Sequence, residues 1–157
     1  MRRIAAWVAL TVFSLLLGAT AGQPAPVLDG RTLQGTPFSL QAQRGRVVVV
    51  DFWASYCEPC RRTFPALSDL ARRRASEGLT VVGVSVDDEA SNAQRAVQQL
   101  RPSFAIVHDA DRRIVERWQP PAMPSTFVIG RDGRVLAIVS GENIAQLSAR
   151  IDAALRR

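Results

Sequence analysis

The chain has no lysine: all twenty basic residues among its 157 are arginine. No functional account of that bias follows from the residues themselves. Cysteine and histidine are nearly absent too, with two of the first and one of the second. Two cysteines cannot build the framework of a disulfide-stapled scaffold. Structural zinc needs four ligands, and Cys57, Cys60 and a distant His108 do not supply them. A lone histidine in "VHDADRR" reads as an ordinary surface or turn residue. No aromatic residues interleave with the arginines, so the formal charge of +6 and the run Arg72-Arg73-Arg74 read as a solvated helix face. They do not form a nucleic-acid footprint. Internal repeats, low-complexity tracts and a composition break that would mark a second domain are all missing, and the length fits one domain.

What is present begins with Arg2 and Arg3, followed by the apolar, uncharged stretch Ile4 to Ala21. It ends in Ala19-Thr20-Ala21, an A-x-A cleavage pattern. Residues 1–21 are therefore expected to be a secretory signal peptide, with Gly22 to Arg157 as the mature domain in a periplasmic or secreted location. An uncleaved membrane anchor is the alternative, because about 18 apolar residues can just span a bilayer. No cysteine follows the apolar run, which argues against a lipid anchor, and the arginine pair lacks the rest of a twin-arginine motif.

The remaining pattern is α/β. "RVVVVDFW" (Arg46 to Trp53) and "LTVVGVSV" (Leu79 to Val86) are continuous apolar runs of the kind expected for strands covered on both faces. Between them Phe64, Leu67, Leu70 and Ala71 recur at helical spacing, predicting a helix over Pro59–Arg74 closed by Gly78. Strand, helix and strand form a βαβ unit with parallel strands. A second helix is expected over Asp87–Leu100, a short strand over Phe104–His108 and a short helix over Ile114–Trp118. A hairpin follows around Asp132-Gly133, and a last helix runs from Asn143. Short β pieces at Val27–Leu33 and Pro37–Leu40 precede the unit. The expected architecture is a central mixed β-sheet flanked by helices, with an N-terminal β-hairpin.

Both cysteines lie in "DFWASYCEPCRRTFP", where a buried strand ends and a helix begins. A C-x-x-C disulfide closes a very short loop and is a poor staple. With zinc excluded as well, dithiol–disulfide exchange is the remaining chemistry. Cys57 falls at the helix N-terminus, where free N–H groups and the dipole stabilise a thiolate. Pro59 suits the first turn. Cys60 lies one turn in, so Cys57 is the expected attacking thiolate and Cys60 the resolving one.

"VVDFWASYCEPC" closely resembles the active site of thioredoxins, with Tyr56 standing where that family carries a tryptophan. "MPSTFVIGRDGRV" resembles the family's cis-proline loop entering a hairpin, and Pro65 matches its helix-kinking proline. The apolar N-terminus, the segment before Val47 and the insert after Val86 resemble the extracytoplasmic TlpA/ResA-type thiol–disulfide oxidoreductases of this thioredoxin fold. The resemblance implies that Cys57 and Cys60 are a redox-active disulfide. It also implies that Pro124, after Met123, presents backbone to an extended substrate, and that Trp53 and Tyr56 wall the site. Pro124 as a plain loop punctuator and Tyr56 as an exposed aromatic without a role are the blander readings.

Asp51 interrupts an apolar run. Burial raises such a carboxyl's pKa and makes it a candidate proton acceptor for Cys60; the alternative is a water-bonded strand-end residue. Glu58 opposes the Cys57 thiolate, and the resemblance makes it part of the active site, although a solvated helix-start glutamate looks the same. The family further implies a protein-disulfide reductase acting on substrates such as the C-x-x-C-H cysteines of apocytochrome c. Electrons would come from a membrane dithiol donor. No cofactor, metal or nucleic-acid partner is expected, and a monomer is. The alternatives are a disulfide oxidase, a thioredoxin-like chaperone holding Cu(I) on two thiolates, and a redox-inert binding domain.

Overall fold

The computed structural model describes residues 18–157. The expected leader falls mostly outside them, and no helix among the described residues is long and apolar enough to cross a membrane. In chain order the elements are β1 (Asp29–Arg31), β2 (Pro37–Ser39), β3 (Val47–Trp53), α1 (Glu58–Arg73), β4 (Leu79–Ser85) and α2 (Ala90–Leu100). They continue with β5 (Ala105–His108), α3 (Arg113–Trp118), β6 (Ser125–Ile129), β7 (Val135–Ser140) and α4 (Ile144–Leu155). β1 and β2 form a two-stranded antiparallel sheet, and the other five strands are ordered β5-β4-β3-β6-β7. β3, β4 and β5 run parallel, while β6 and β7 run antiparallel to their neighbours. This is the central mixed sheet that the sequence pattern predicts.

The two apolar runs become the two central strands because both faces of each are covered. Every residue of β3 is buried. Alternation along a strand sends successive side chains to opposite faces. Val47 and Val49 pack with Leu67 and Leu70 of α1 and with Leu147, Ile151 and Ala154 of α4. Val48, Val50 and Phe52 join Leu28, Leu40, Ile114 and Trp118 in the other cluster. There Phe52, Trp118 and Phe127 meet with ring centroids 5.0–5.7 Å apart. The glycine inside β4 has a packing reason. A Cβ on Gly83 would lie 2.6 Å from Ile106 Cδ1 and 3.2 Å from Trp53 Nε1.

Boundaries shift where side chains claim the backbone. α2 begins at Ala90, not Asp87, because the Asp87 carboxylate is bonded to Ser55 and Ser85 and holds its own residue outside the helix. α1 ends at Arg73 and passes through a 3-10 turn, Ala75–Glu77, before Gly78 at φ 93°. α4 is capped by Asn143, whose side chain accepts the Gln146 N–H at 3.0 Å.

The segment ahead of β3 reaches both sides of the sheet. Gly22 N–H donates to Val135 O, Val135 N–H to Gln23 O and Ala25 N–H to Gly133 O, with a bridge between Pro24 and Arg134. Farther on, Thr32 bridges Val107 and Leu33 N–H donates to Ile106 O.

Candidate active site

β3 delivers the chain to Trp53, and the residues Ala54-Ser55-Tyr56 carry it into α1. Cys57 is the N-cap of α1, and its sulfur accepts the Cys60 N–H at 3.3 Å. A sulfur thus stands where an oxygen usually satisfies one of the orphaned first-turn donors. Pro59 sits in that turn, where its missing N–H leaves nothing unpaired. Cys57 and Cys60 form a disulfide with S–S 2.05 Å. Cys57 keeps 9% exposure and Cys60 none, so Cys57 is the more accessible of the pair. In the reduced protein mild alkylation should therefore label Cys57 well before Cys60. Peptide mapping after a short iodoacetamide pulse checks this, and faster labelling of Cys60 would reverse the assignment.

The Met123–Pro124 bond is cis. Ser125 pairs with Phe52, so Pro124 lies beside Trp53 at the end of β3 that feeds the cysteines. The loop is fastened by its own serine: Ser125 Oγ donates to Ala122 O at 2.8 Å and accepts the Ala122 N–H at 3.2 Å. The Pro124 carbonyl accepts the Gly141 N–H at 2.9 Å. Met123 has no backbone hydrogen-bond partner among the described residues.

Trp53 departs from expectation. It is fully buried, packed edge-on against Phe64 at 4.7 Å, so it belongs to the core and is not a wall that a substrate touches. The strand pleat turns it toward α1 and buries it there. Tyr56 is 75% exposed immediately before Cys57. Glu58 is exposed as well, and Arg62 Nη1 lies 3.7 Å from its carboxylate. Arg62 also holds Glu142 with two bonds of 2.8 Å, and that hydrogen bonding keeps the Glu142 carboxyl below the usual range.

Asp51 lies in β3 between Gly83 and Thr126, on the face turned toward α1, and is wholly buried. Its Oδ1 accepts the Thr126 hydroxyl at 2.7 Å, and its Oδ2 has no partner among the described residues. Loss of solvation raises its pKa to about 7, against which the Thr126 bond pulls down. A carboxyl poised there can accept and release a proton near neutral pH.

Three residues near the cysteines escaped the sequence reading. Asp87, buried, takes bonds from Ser55 and Ser85. His108 places Nε2 at 2.7 Å from the Asp87 carbonyl, so it is a tie between strand ends and not an idle turn residue. Arg61 Nη1 reaches the Ser55 carbonyl at 3.4 Å. The available signal was a serine two residues before an aspartate at the end of a buried strand. Among the described residues no group of three side chains could hold a metal ion.

Comparison with known proteins agrees with this geometry. A profile of the AhpC/TSA family matches residues 21–138. The thiol-disulfide oxidoreductase ResA of Bacillus subtilis is 27% identical over 130 residues, covering 83% of this chain and 73% of that protein. ResA of Geobacillus thermodenitrificans is 26% identical, with 82% and 74% covered. Among solved structures, a thiol:disulfide interchange protein DsbE of Chlorobium tepidum superposes with a TM-score of 0.83 at 30% identity, covering 88% of this chain and 99% of that one. A secreted disulfide oxidoreductase of Mycobacterium tuberculosis gives 0.71 at 27% identity, with 80% and 95% covered. With the C-x-x-C disulfide at a helix N-cap beside a cis-proline, the chain belongs to the AhpC/TSA family and is a thioredoxin-fold thiol–disulfide oxidoreductase of the ResA/DsbE type.

Proposed function

We propose that this protein works outside the cytoplasm as a protein-disulfide reductase. Residues 1–21 act as its export signal, and the mature domain acts as a monomer. The observation that carries the reducing direction is the N-cap of α1. An oxidising dithiol overstabilises its thiolate. Here the exposed Glu58 carboxylate stands directly after Cys57, and the guanidinium beside it, that of Arg62, is shared with Glu142. Both features favour the disulfide over the dithiol.

In each turnover the Cys57 thiolate attacks one sulfur of a substrate disulfide, forming a mixed disulfide and releasing the first substrate thiolate. Asp51 takes the Cys60 proton, and Cys60 attacks the Cys57 sulfur, which releases the second substrate thiolate and leaves the Cys57–Cys60 disulfide. Two electrons pass to the substrate, and a membrane dithiol donor must return two. The substrate chain lies extended along Met123, whose unpaired backbone suits strand-like pairing. Likeness to ResA supports the C-x-x-C-H cysteines of apocytochrome c as the substrate class.

The reduction potential should fall at about −220 to −280 mV, nearer thioredoxin than DsbA. Equilibration against glutathione measures it. A value above about −160 mV would make the protein an oxidant and overturn the reductase reading.

A further inference from the structure

The C-terminal ends of β3, β4 and β5 stand in one row, with Trp53 paired to Ser85 and Ser85 to His108. Just beyond that row the chain turns from β3 into the cysteine loop, and Asp87 faces it with 1% exposure. The Ser55 N–H points between the two carboxylate oxygens, at 3.2 and 3.0 Å. The Ser55 hydroxyl donates to Oδ1, and the Ser85 hydroxyl donates to Oδ2 at 2.8 Å. Ser85 Oγ in turn accepts the Asp87 N–H at 3.2 Å. The backbone of Asp87 is steadied from β5, where His108 Nε2–H donates to its carbonyl at 2.7 Å. From the helix side Arg61 reaches the Ser55 carbonyl at 3.4 Å while its other nitrogen holds Gln99 at 2.9 Å. Residue 55 is thus gripped at its N–H, its hydroxyl and its carbonyl, two residues before the attacking cysteine.

We propose that Asp87 is a positioning residue for Cys57: through Ser55 it fixes the loop that sets how closely the two sulfurs are held together. The Asp87 oxygens are occupied by donors from three groups, so the carboxylate anchors the loop and has no part in the proton transfer assigned to Asp51. The dependence is physical. The equilibrium between dithiol and disulfide measures the effective concentration of one sulfur at the other. That concentration falls when either is freed to wander. A hydrogen bond to a charged buried group is among the stronger single restraints available. The inference rests on the dithiol–disulfide chemistry of the pair and is independent of the direction in which electrons flow in the cell.

The test is the Asp87→Ala variant, measured by equilibration against glutathione, by the second-order rate of the reduced protein with a small aromatic disulfide, and by thermal melting. The expected result is a fall of about tenfold in the equilibrium constant for closing the Cys57–Cys60 bond, equivalent to about 30 mV toward the oxidising side. Asp87→Asn keeps one acceptor for the Ser55 N–H and should recover about threefold of the loss. A lower melting temperature with the equilibrium constant and rate within twofold of the parent would make Asp87 purely structural and overturn the proposal. Should Asp87→Ala not fold, Ser55→Ala decides: a constant lowered by threefold or more supports the clamp, and an unchanged one overturns it.

Discussion

Cys57→Ser should abolish disulfide exchange, a loss on the order of a thousandfold or more, because the serine hydroxyl is a far weaker nucleophile at neutral pH. Cys60→Ser should behave differently. Cys57 keeps its place at the N-cap of α1 with the greater exposure of the pair, so it still attacks. Without a second thiol the mixed disulfide is not resolved. The variant should therefore stop after one half-reaction, covalently joined to its substrate. Non-reducing electrophoresis after incubation with a disulfide-containing protein would show a band that disappears with reductant. Trapping by Cys57→Ser in place of Cys60→Ser would invert the two roles. The same Cys60→Ser protein, expressed in its own compartment, would carry its natural partners away with it.

Asp51→Asn should make the protein slower and more stable at once. The folded carboxyl titrates at about 7 and the unfolded one at 3.8. Between those values the folded chain holds a proton that the unfolded chain has released. Stability therefore declines as pH rises through the window, by about 4 kcal/mol in all. Asparagine cannot ionise, and its carbonyl oxygen can still accept the Thr126 hydroxyl. Urea melts should show the variant close to the parent near pH 4 and more stable by about 3–4 kcal/mol at pH 8. Loss of the proton acceptor should slow resolution of the mixed disulfide by about a hundredfold. Equal kinetics from pH 6 to 8 would leave Asp51 a structural residue, and a stability gain independent of pH would refute the raised pKa.

The cysteine pair, the helix that it caps and the sheet around it were legible because each leaves a local signature. Strand runs of valine, a helical recurrence of leucine and a proline in the first turn can all be read from neighbours in sequence. The loop before β6 was legible through the family resemblance of Met-Pro-Ser ahead of a buried strand. Trp53 shows where that reading stops. The family resemblance implied a wall, but the pleat of β3 decides which way it faces, and it faces the core against Phe64. Asp87 and His108 were illegible for another reason. Each acts only because β3, β4 and β5 end in register, a fact of tertiary pairing that no window of sequence contains. Glu58 was expected in the active site or as a solvated helix-start acid, and the Arg62–Glu142 link beside it, which joins residues eighty positions apart, was not legible.

A mixed sheet of this kind has two outer strands, and an outer strand with free backbone groups is an invitation for another chain to add itself. One stretch of the N-terminal segment guards both. Residues 22–25 lie along the start of β7, and Thr32 and Leu33 close on β5 from the opposite side. A chain begun at Arg46 would lose both of these contacts together with Leu28 and Leu40, which fill the core beside β3. Such a chain should melt at a lower temperature and associate as its concentration rises, because uncovered edges find each other. The N-terminal segment covers sheet edges and fills core while supplying no cysteine to the reaction.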